Sequence, residues 1–418
     1  MSKEPIRFKQ TEIGELPEGW EVKKLGEIAT IKQGGRLGLT KKDYVPEGYP
    51  AFSATGQDGY VSVYEYEGEA IILSSIGAQC GKCFYATGKW TTLANTQIIF
   101  VNPEIANTLF IFYQVNRPNF WMRLGSAQPF IRPSDVKNAK VIIPPLEEQK
   151  RIAGVLRLVD RVAEETRRIV DIYERAKRFA LKRLLTRGMG HTRFKQTEIG
   201  ELPEGWEVVK LEDILNLIRN GTTVQQNKEG KGFPVTRIET IASGSIDPKR
   251  VGWAELTPEQ FERYKMEIGD ILFSHINSIE HIGKTAIYLG NPPNLVHGMN
   301  LLLLRLNREK TYPMFVFYWL NSELVRNIIK STAKRAVNQV SINQKDVKLI
   351  PIPLPPLEEQ KQIVKMLSTI DAAIENERRY LGVLEKCKRW LLDNLLTGKI
   401  RLSPEVDEIL KGVLPDAF

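Results

Sequence analysis

Residues 7–25 read RFKQTEIGELPEGWEVKKL, and residues 193–211 read RFKQTEIGELPEGWEVVKL, with a single difference between them. A second pair of matching segments is longer and looser. PPLEEQKRIAGVLRLVDRVAEE begins at Pro144, and PPLEEQKQIVKMLSTIDAAIEN begins at Pro355. Self-similarity of this kind has to be recognised before any other feature, because it sets the architecture. The chain is therefore predicted to be a tandem duplication, each half an opening segment, an insert and a helix.

The two inserts differ in length and share little sequence. Residues 26–143 form the first insert, and residues 212–354 form the second. Uniform drift after a duplication would change all parts of the two halves alike, whereas the opening segments are nearly identical. We therefore expect one common scaffold that carries two inserts with different tasks. A recent duplication with local drift is the alternative.

The segments that begin with Pro-Pro predict two long helices. Proline is not tolerated inside a helix but is tolerated where one begins, and the two glutamates that follow suit the positive end of a helix dipole. Apolar residues then recur at heptad spacing, which is typical of a coiled coil or a long helix pair. Two helices in separate bundles are the alternative. The predicted core positions of the helix pair are Ile152, Val155, Val159, Val162, Ile169, Ile363, Met366, Ile370, Tyr380 and Leu384.

Both inserts are predicted to be mixed α/β domains. Buried strands are expected at residues 70–74, 97–101, 270–274 and 301–306, and helices at 109–116 and 314–321. The predicted fold class is α+β: two globular α/β domains separated by two long antiparallel helices that form a coiled coil, with a pseudo-twofold internal repeat. The predicted segments are residues 1–143, the helix of residues 144–192, residues 193–354, the helix of residues 355–402, and an acidic tail of residues 403–418.

The composition excludes several classes of protein. With 42% hydrophobic and 26% charged residues the chain is not wholly disordered, and three cysteines exclude a disulfide scaffold and suit a reducing compartment. No complete P-loop, glycine-rich cofactor loop or four-ligand zinc pattern occurs. The chain is therefore expected to have no catalytic residue, cofactor or metal site. Its apolar stretches are too short for a membrane span, so we expect a cytoplasmic protein.

A net charge of +9 favours a polyanionic partner. Lys and Arg supply phosphate contacts, whereas amides, hydroxyls and Arg on loops read bases. A solvated or loop-packed side chain is the alternative for every candidate. The candidates for DNA contact are Arg36, Lys41, Lys42, Gln57, Gln79, Lys82, Gln128 and Arg132 in the first insert, and Arg219, Thr222, Gln225, Gln226, Arg237, Asn277, Lys334, Arg335, Asn338 and Gln339 in the second.

These features together resemble the specificity subunit of type I restriction–modification enzymes. The resemblance rests on the LPEGW openers at residues 16–20 and 202–206, the exits IPPLEEQ at 143–149 and IPLPPLEEQ at 352–360, the long helix after each exit, and the duplication. It covers essentially the whole chain. It implies that each insert is a target recognition domain for one half of an asymmetric, bipartite DNA site.

The resemblance also implies partners and cofactors. The helices would space the two domains and dock two methyltransferase subunits, and nuclease-translocase subunits would join the assembly. S-adenosylmethionine, ATP and Mg²⁺ would belong to those partners, which carry adenine-N6 methylation and ATP-dependent cleavage. The alternative function is a bivalent adaptor with the same architecture that does not bind DNA; its binding would be insensitive to salt.

Overall fold

The structure is a computed structural model that describes residues 7–125, 127–227, 229–279, 281–335 and 340–414. The chain divides into two compact units. The first unit consists of residues 1–168 and 378–418, and the second unit consists of residues 169–377. Each unit contains one insert with its opening segment, and each long helix contributes one part to each unit.

The first half of the chain runs from the opening hairpin to the end of the first long helix. Its strands are β1 (Phe8–Thr11), β2 (Gly14–Pro17), β3 (Glu21–Lys24), β4 (Ala29–Gln33), β5 (Tyr49–Ser53), β6 (Gly56–Val61), β7 (Tyr66–Glu67), β8 (Ala70–Ser74), β9 (Cys83–Ala86), β10 (Lys89–Thr92), β11 (Thr96–Val101) and β12 (Lys140–Ile143). Its helices are α1 (Leu25–Ile28), α2 (Thr108–Val115), α3 (Pro133–Asn138) and α4 (Leu146–Arg187).

The second half repeats the scaffold around a different insert. Its strands are β13 (Phe194–Thr197), β14 (Gly200–Pro203), β15 (Glu207–Lys210), β16 (Leu215–Asn220), β17 (Phe233–Val235), β18 (Gly252–Ala254), β19 (Ile271–Phe273), β20 (Ile276–Asn277), β21 (Thr285–Ile287), β22 (Leu302–Leu306), β23 (Lys334–Arg335), β24 (Val340–Ser341) and β25 (Pro351–Leu354). Its helices are α5 (Pro258–Tyr264), α6 (Pro313–Leu320), α7 (Glu323–Thr332), α8 (Gln344–Lys348), α9 (Leu357–Leu395) and α10 (Val406–Val413).

Each insert leaves and rejoins its scaffold through one two-stranded antiparallel ladder. In the first unit β3 pairs with β12, which places Lys24 opposite Lys140. In the second unit β15 pairs with β25, which places Lys210 opposite Pro351. The two ends of each insert therefore lie side by side, so the loops between them can change without a change in the scaffold.

The tryptophan of each LPEGW opener is fully buried and bound to the long helix that follows the insert. Trp20 Nε1 donates a hydrogen bond to Glu148 Oε2 at 3.1 Å, and Trp206 Nε1 donates to Glu359 Oε2 at 3.0 Å. These two glutamates are the second acidic residue of each LEEQ motif. The repeated opener and the repeated exit are thus two parts of one buried contact, which explains why both motifs recur together.

The glutamine of each LEEQ motif is also buried, and it fixes the entrance to a helix of the insert. Gln149 Oε1 accepts a hydrogen bond from the backbone N–H of Asn107 at 2.9 Å, just before α2. Gln360 Oε1 accepts one from the backbone N–H of Tyr312 at 2.8 Å, just before α6. A buried backbone N–H needs such a partner. The motif therefore ties each insert to its long helix.

A glycine in the left-handed region packs the end of each long helix against the buried tryptophan. Gly188 has φ +59° and Gly398 has φ +69°, a conformation that favours glycine. A Cβ at Gly398 would lie 2.3 Å from Pro17 Cγ, and a Cβ at Gly188 would lie 2.6 Å from the ring of Trp206. Neither position has room for a side chain.

The two inserts contain the same four-stranded antiparallel sheet although their sequences differ. The strand order is β4-β11-β8-β9 in the first insert and β16-β22-β19-β21 in the second. Helices α2 and α6 contact β9 and β21 respectively. The first insert adds a sheet of order β6-β5-β10-β7, whereas the second adds the ribbon β17-β18 and the sheet β20-β24-β23. The mixed α/β class predicted for both inserts is confirmed.

Helices α4 and α9 pack against each other as an antiparallel pair within each unit. In the first unit Lys388 is bound to Asp160, while Arg167 lies 3.4 Å from Glu385. In the second unit the apolar core brings together Leu184, Leu185, Ile363, Val364 and Leu367. The predicted pairing of the long helices is confirmed. No helix in the described ranges is long and apolar enough to cross a membrane.

Each insert helix is also attached to this pair by a duplicated polar contact. In the first unit Tyr113 of α2 donates to Asp160 Oδ2 at 2.8 Å, and Lys388 binds the same carboxylate. In the second unit Tyr318 of α6 donates to Asp371 Oδ2 at 2.7 Å, and Lys177 binds Oδ1 at 2.5 Å. Burial followed by the neighbouring carboxylate raises the pKa of both tyrosines, so each remains a donor at neutral pH.

The buried stripe of the two helices differs from the prediction at three of the ten positions. Ile169, Met366 and Tyr380 are 38%, 46% and 48% exposed, so their placement in the helix-pair core is wrong. The neighbouring Val170 and Leu367 are buried instead. Both members of each neighbouring pair are largely apolar, and a heptad spacing alone does not decide which one faces the partner helix. Of the other predicted core positions, Ile152 and Ile363 are buried, and Val155, Val159, Val162, Ile370 and Leu384 are partly buried.

The predicted acidic tail contains helix α10, which returns to the first long helix. Arg151 Nε lies 2.8 Å from Asp407 Oδ1, and Arg161 donates to the carbonyl oxygen of Val413 at 3.0 Å. Leu410 of α10 is 1% exposed. The last part of the chain therefore belongs to the packed structure of the first unit.

Candidate nucleic-acid interface

In the first insert four loops meet at one edge of the central sheet. Gly34, after β4, donates its backbone N–H to the carbonyl of Thr96 at 3.0 Å, and Ser75, after β8, donates to Asn95 at 2.9 Å. Gly77 then donates to the carbonyl of Pro129 at 2.9 Å. These bonds join residues 34–40, 75–82, 93–96, 124–125 and 127–131 into one surface, which we call the first loop edge.

The second insert forms an equivalent edge from different residues. Thr222, after β16, donates its backbone N–H to the carbonyl of His297 at 2.8 Å, and Met299 donates back to Thr222 at 3.0 Å. Ile342 donates to the carbonyl of His275 at 2.9 Å, which attaches the β23–β24 ribbon. We call this surface, made of residues 221–227, 275–279, 297–300 and the β23–β24 ribbon, the second loop edge.

The turn before the central strand has the same backbone shape at both edges. Asn95 precedes β11 with φ +65°, and Asn300 lies just before β22 with φ +70°. Asparagine tolerates the left-handed region better than most residues. The two loop edges thus share a backbone conformation at this turn, whereas their side chains differ.

One histidine is buried at the second loop edge. His297 is fully buried, and its Nε2 lies 3.0 Å from the carbonyl oxygen of Leu301. The pKa of His297 is lowered to about 4, chiefly by burial, which outweighs the raising effect of the Leu301 carbonyl; the positive charge of Arg219 adds to the lowering. The imidazole is therefore neutral at neutral pH, with Nε2 as the donor.

Among the predicted DNA contacts, the described side chains fall into three groups by exposure. The exposed ones are Arg36, Lys41, Lys42, Gln57, Lys82, Gln128, Arg132, Gln225 and Lys334. The half-buried ones are Gln79, Arg219, Gln226, Arg237 and Asn277. Thr222 is only 2% exposed, and its hydroxyl accepts from the backbone N–H of Val224 at 3.2 Å, which corrects its inclusion as a surface contact. Asn338, Gln339 and the side chain of Arg335 lie outside the described residues.

Several of these side chains already have partners within the protein. Arg132 Nε lies 2.9 Å from Asp135 Oδ2 at the start of α3. Arg237 Nε donates to Gln226 Oε1 at 2.6 Å. Such pairs hold a guanidinium in one orientation. To contact DNA, the arginine would have to leave its protein acceptor or bind the acceptor and the DNA at once.

Lys41 belongs to a compact polar cluster around Asp58. The carboxylate of Asp58 accepts hydrogen bonds from Lys41, Thr55, Tyr44 and Ser53. Burial alone would raise the pKa of Asp58, but these four donors outweigh burial and hold it below its usual range. Asp58 is therefore ionised at neutral pH, and it fixes the segment that carries Lys41 and Lys42.

A cavity of about 510 Å³ lies against residues 78–82 of the first loop edge and the start of β9. Its other wall is formed by Arg117, Asn119, Trp121 and Arg123, from the segment that follows α2. The sequence analysis selected no candidate between Lys82 and Gln128 and so missed these residues. Two arginines, Arg117 and Arg123, that follow the predicted helix of residues 109–116 were the available indication.

The comparison with protein families decides between the candidate functions. The model of the type I restriction modification DNA specificity domain matches residues 17–172 and 203–386. This chain belongs to the type I restriction–modification specificity subunits. The two matches coincide with the two halves of the duplication, and this specificity subunit is the DNA-recognising, non-catalytic part of a type I complex.

Curated relatives agree with this assignment, and a solved structure has the same fold. The MjaVIII specificity subunit of Methanocaldococcus jannaschii is 30% identical over 94% of this chain and 96% of its own length. The putative MjaX specificity subunit of the same organism is 55% identical, but that match spans about half of each chain, 49% and 48%. The crystal structure of the type I restriction–modification S subunit from M. genitalium superimposes with a TM-score of 0.62 at 17% identity, over 90% of this chain and 96% of that one.

Proposed function

We propose that this specificity subunit reads an asymmetric, bipartite double-stranded DNA site, with residues 26–143 on one half and residues 212–354 on the other. The observation that carries the proposal is the duplicated frame with unlike side chains. The first loop edge presents Arg36, Gln79 and Lys82, whereas the second presents Gln225, Gln226 and Asn277. Guanidinium and amide groups are the ones that distinguish base edges in the major groove.

The long helices are the part that we assign to spacing and assembly. They contain 42 and 39 residues, so each would extend about 60 Å at 1.5 Å per residue. Their surfaces carry large exposed apolar side chains, including Ile172, Phe179, Val383 and Trp390, which are 55–67% exposed. Exposed apolar patches mark protein interaction sites. We assign these faces to two methyltransferase subunits, which nuclease-translocase subunits would join.

In this proposal the partner subunits catalyse the methylation and cleavage of DNA. S-adenosylmethionine, ATP and Mg²⁺ would bind the methyltransferase and nuclease-translocase subunits. In the described ranges no three His, Cys, Asp or Glu side chains form a metal-ligand group. The purified chain should therefore bind DNA but neither methylate nor cleave it when all three cofactors are supplied. Turnover by the chain alone would contradict the assignment.

Methylation mapping tests the bipartite site directly. In a host that expresses the chain with its methyltransferase partner, modified adenines should lie in two short sequences separated by unspecified bases. The two sequences should be unrelated by twofold symmetry, because the two loop edges differ. A contiguous or palindromic site would contradict the proposal. Affinity for DNA should also fall steeply with salt, as phosphate contacts require, whereas a bivalent adaptor without DNA would show no such dependence.

A further inference from the structure

The cavity beside residues 78–83 has the composition of an anion site. Three basic residues line it, namely Lys82, Arg117 and Arg123, and no acidic residue lines it within the described ranges. We propose that this cavity binds a backbone phosphate of the DNA half-site read by the first insert. The proposal rests on the proposed function, because it assigns the phosphate to DNA.

Two of the three cations form no ion pair with another described residue. The side chains of Lys82 and Arg123 are exposed, and neither forms an ion pair in the part of the chain that the structure describes. Arg117 is more buried, and its Nε donates to the carbonyl oxygen of Gln114 at 3.2 Å. Burial lowers the pKa of Arg117, and attraction to Asp393 partly offsets this. Arg117 thus lends a fixed positive charge, while Lys82 and Arg123 are available to a ligand.

The neutral groups of the cavity add hydrogen-bond donors. Asn116 Oδ1 accepts the backbone N–H of Cys83 at 3.0 Å, which directs its Nδ2 away from that strand. Gln79 and Asn119 also line the cavity. Guanidinium groups bind phosphate through paired N–H donors, and the oxygens of a backbone phosphate only accept hydrogen bonds. The lining of the cavity, with cations and amide donors but no carboxylate, therefore suits a phosphate group.

The place of the cavity favours the DNA backbone as the source of that phosphate. Residues 78–82 belong both to the cavity wall and to the first loop edge. Gly77, directly before them, is bonded to Pro129 on the same edge. A duplex that contacts Gln79 and Lys82 at the loop edge would bring its backbone alongside the cavity. Phosphate contacts of this kind orient a protein on the duplex without reading its sequence.

The second insert has a different structure at the corresponding point. Gly81 and Gly283 each precede the last strand of the central sheet, with φ +91° and +74°. A Cβ at Gly283 would lie 2.6 Å from Ile329 Cδ1 of α7, whereas the atom nearest a Cβ at Gly81 is Arg123 Nε, at 3.4 Å. The buried apolar face of helix α7, through Ile329, thus occupies in the second insert the place of the basic cavity in the first. The phosphate contact is therefore specific to one half-site.

The test compares Arg123→Ala with Lys137→Ala in the full-length chain. Lys137 is an exposed lysine of α3 in the same insert and does not line the cavity, so its removal changes the net charge equally. Arg123→Ala should weaken binding to the mapped site by about three- to tenfold and lower the slope of log affinity against log salt by about one. Lys137→Ala should leave the slope unchanged. The cooperative unfolding of both variants, followed by circular dichroism, serves as the folding control.

Duplexes with single methylphosphonate replacements identify the phosphate. At one position in the first half-site the neutral linkage should weaken binding of the unmodified chain but not weaken Arg123→Ala further. No position in the second half-site should behave in this way. Additive losses at every position, or an unchanged affinity of folded Arg123→Ala, would overturn the cavity assignment alone. Failure of the unmodified chain to bind DNA would overturn the proposed function and this inference with it.

Discussion

At the scale of the single residue, His297 of the second loop edge makes the stability of the fold depend on pH. The unfolded chain binds a proton at the ordinary histidine pKa of 6.5, whereas in the folded chain burial lowers the pKa of His297 to about 4. Protonation therefore favours the unfolded state. Stability is complete above pH 6.5 and is lost as the pH falls from about 6.5 towards about 4, by up to about 3 kcal/mol.

We expect His297→Gln to flatten this part of the pH profile. The measurement is the urea midpoint of unfolding between pH 7.5 and pH 4.5, for the unmodified chain and the variant. His281→Gln is the matched control, because His281 is exposed and lies in the same insert. An unchanged profile in His297→Gln would show that another group causes the loss at low pH.

Glu148 is a second residue whose contacts affect the stability of the folded chain. It is 4% exposed and accepts from Trp20, while Arg401 donates to both of its oxygens at 2.8 and 2.7 Å. Removing one partner of a buried carboxylate leaves an uncompensated charge. We expect Arg401→Ala to lower the unfolding free energy by about 1–3 kcal/mol, with Lys399→Ala as the exposed control. Equal stability of the two variants would contradict this.

At the scale of the element, the two long helices offer a test between neighbouring residues. Leu367 is fully buried, while Met366 is 46% exposed. Loss of a buried leucine side chain costs about 2–5 kcal/mol, whereas an exposed substitution costs within about 0.5 kcal/mol. Leu367→Ala should therefore destabilise the chain and Met366→Ala should not, as measured by thermal unfolding. The reverse order would restore the heptad assignment made from sequence.

The elements show where sequence reasoning succeeds and where it stops. Helix α2 and strand β8 were predicted almost to the residue, because a buried strand and an aromatic helix have strong local patterns. The buried face of the long helices was not predicted correctly, because Met366 and Leu367 are both apolar and only packing against the partner helix distinguishes them. At the site, loop polarity identified exposed Lys82 but not that Thr222 turns inward or that Arg123 faces a cavity. Those facts depend on packing between segments far apart in the chain.

At the scale of the whole molecule, the paired strands at the base of each insert predict an exchangeable module. We expect that replacing residues 212–350 with the equivalent segment of another specificity subunit would change only one half of the modified site. Strands β15 and β25 would be kept, so that the ladder closing the insert is unchanged. Methylation mapping is the measurement, and replacement of residues 26–139 is the reciprocal control. A change in both halves would contradict independent readout.

The first unit is assembled from two segments that lie far apart in the sequence, residues 1–168 and 378–418. The core around Trp20 includes Leu395 and Leu396, and Gly398 packs against Pro17. A ribosome adds about 5–20 residues per second, so the nascent first insert waits roughly ten to fifty seconds for these partners. The second unit, a continuous segment, can be completed during that interval. The insert that is synthesised first thus belongs to the unit that is finished last.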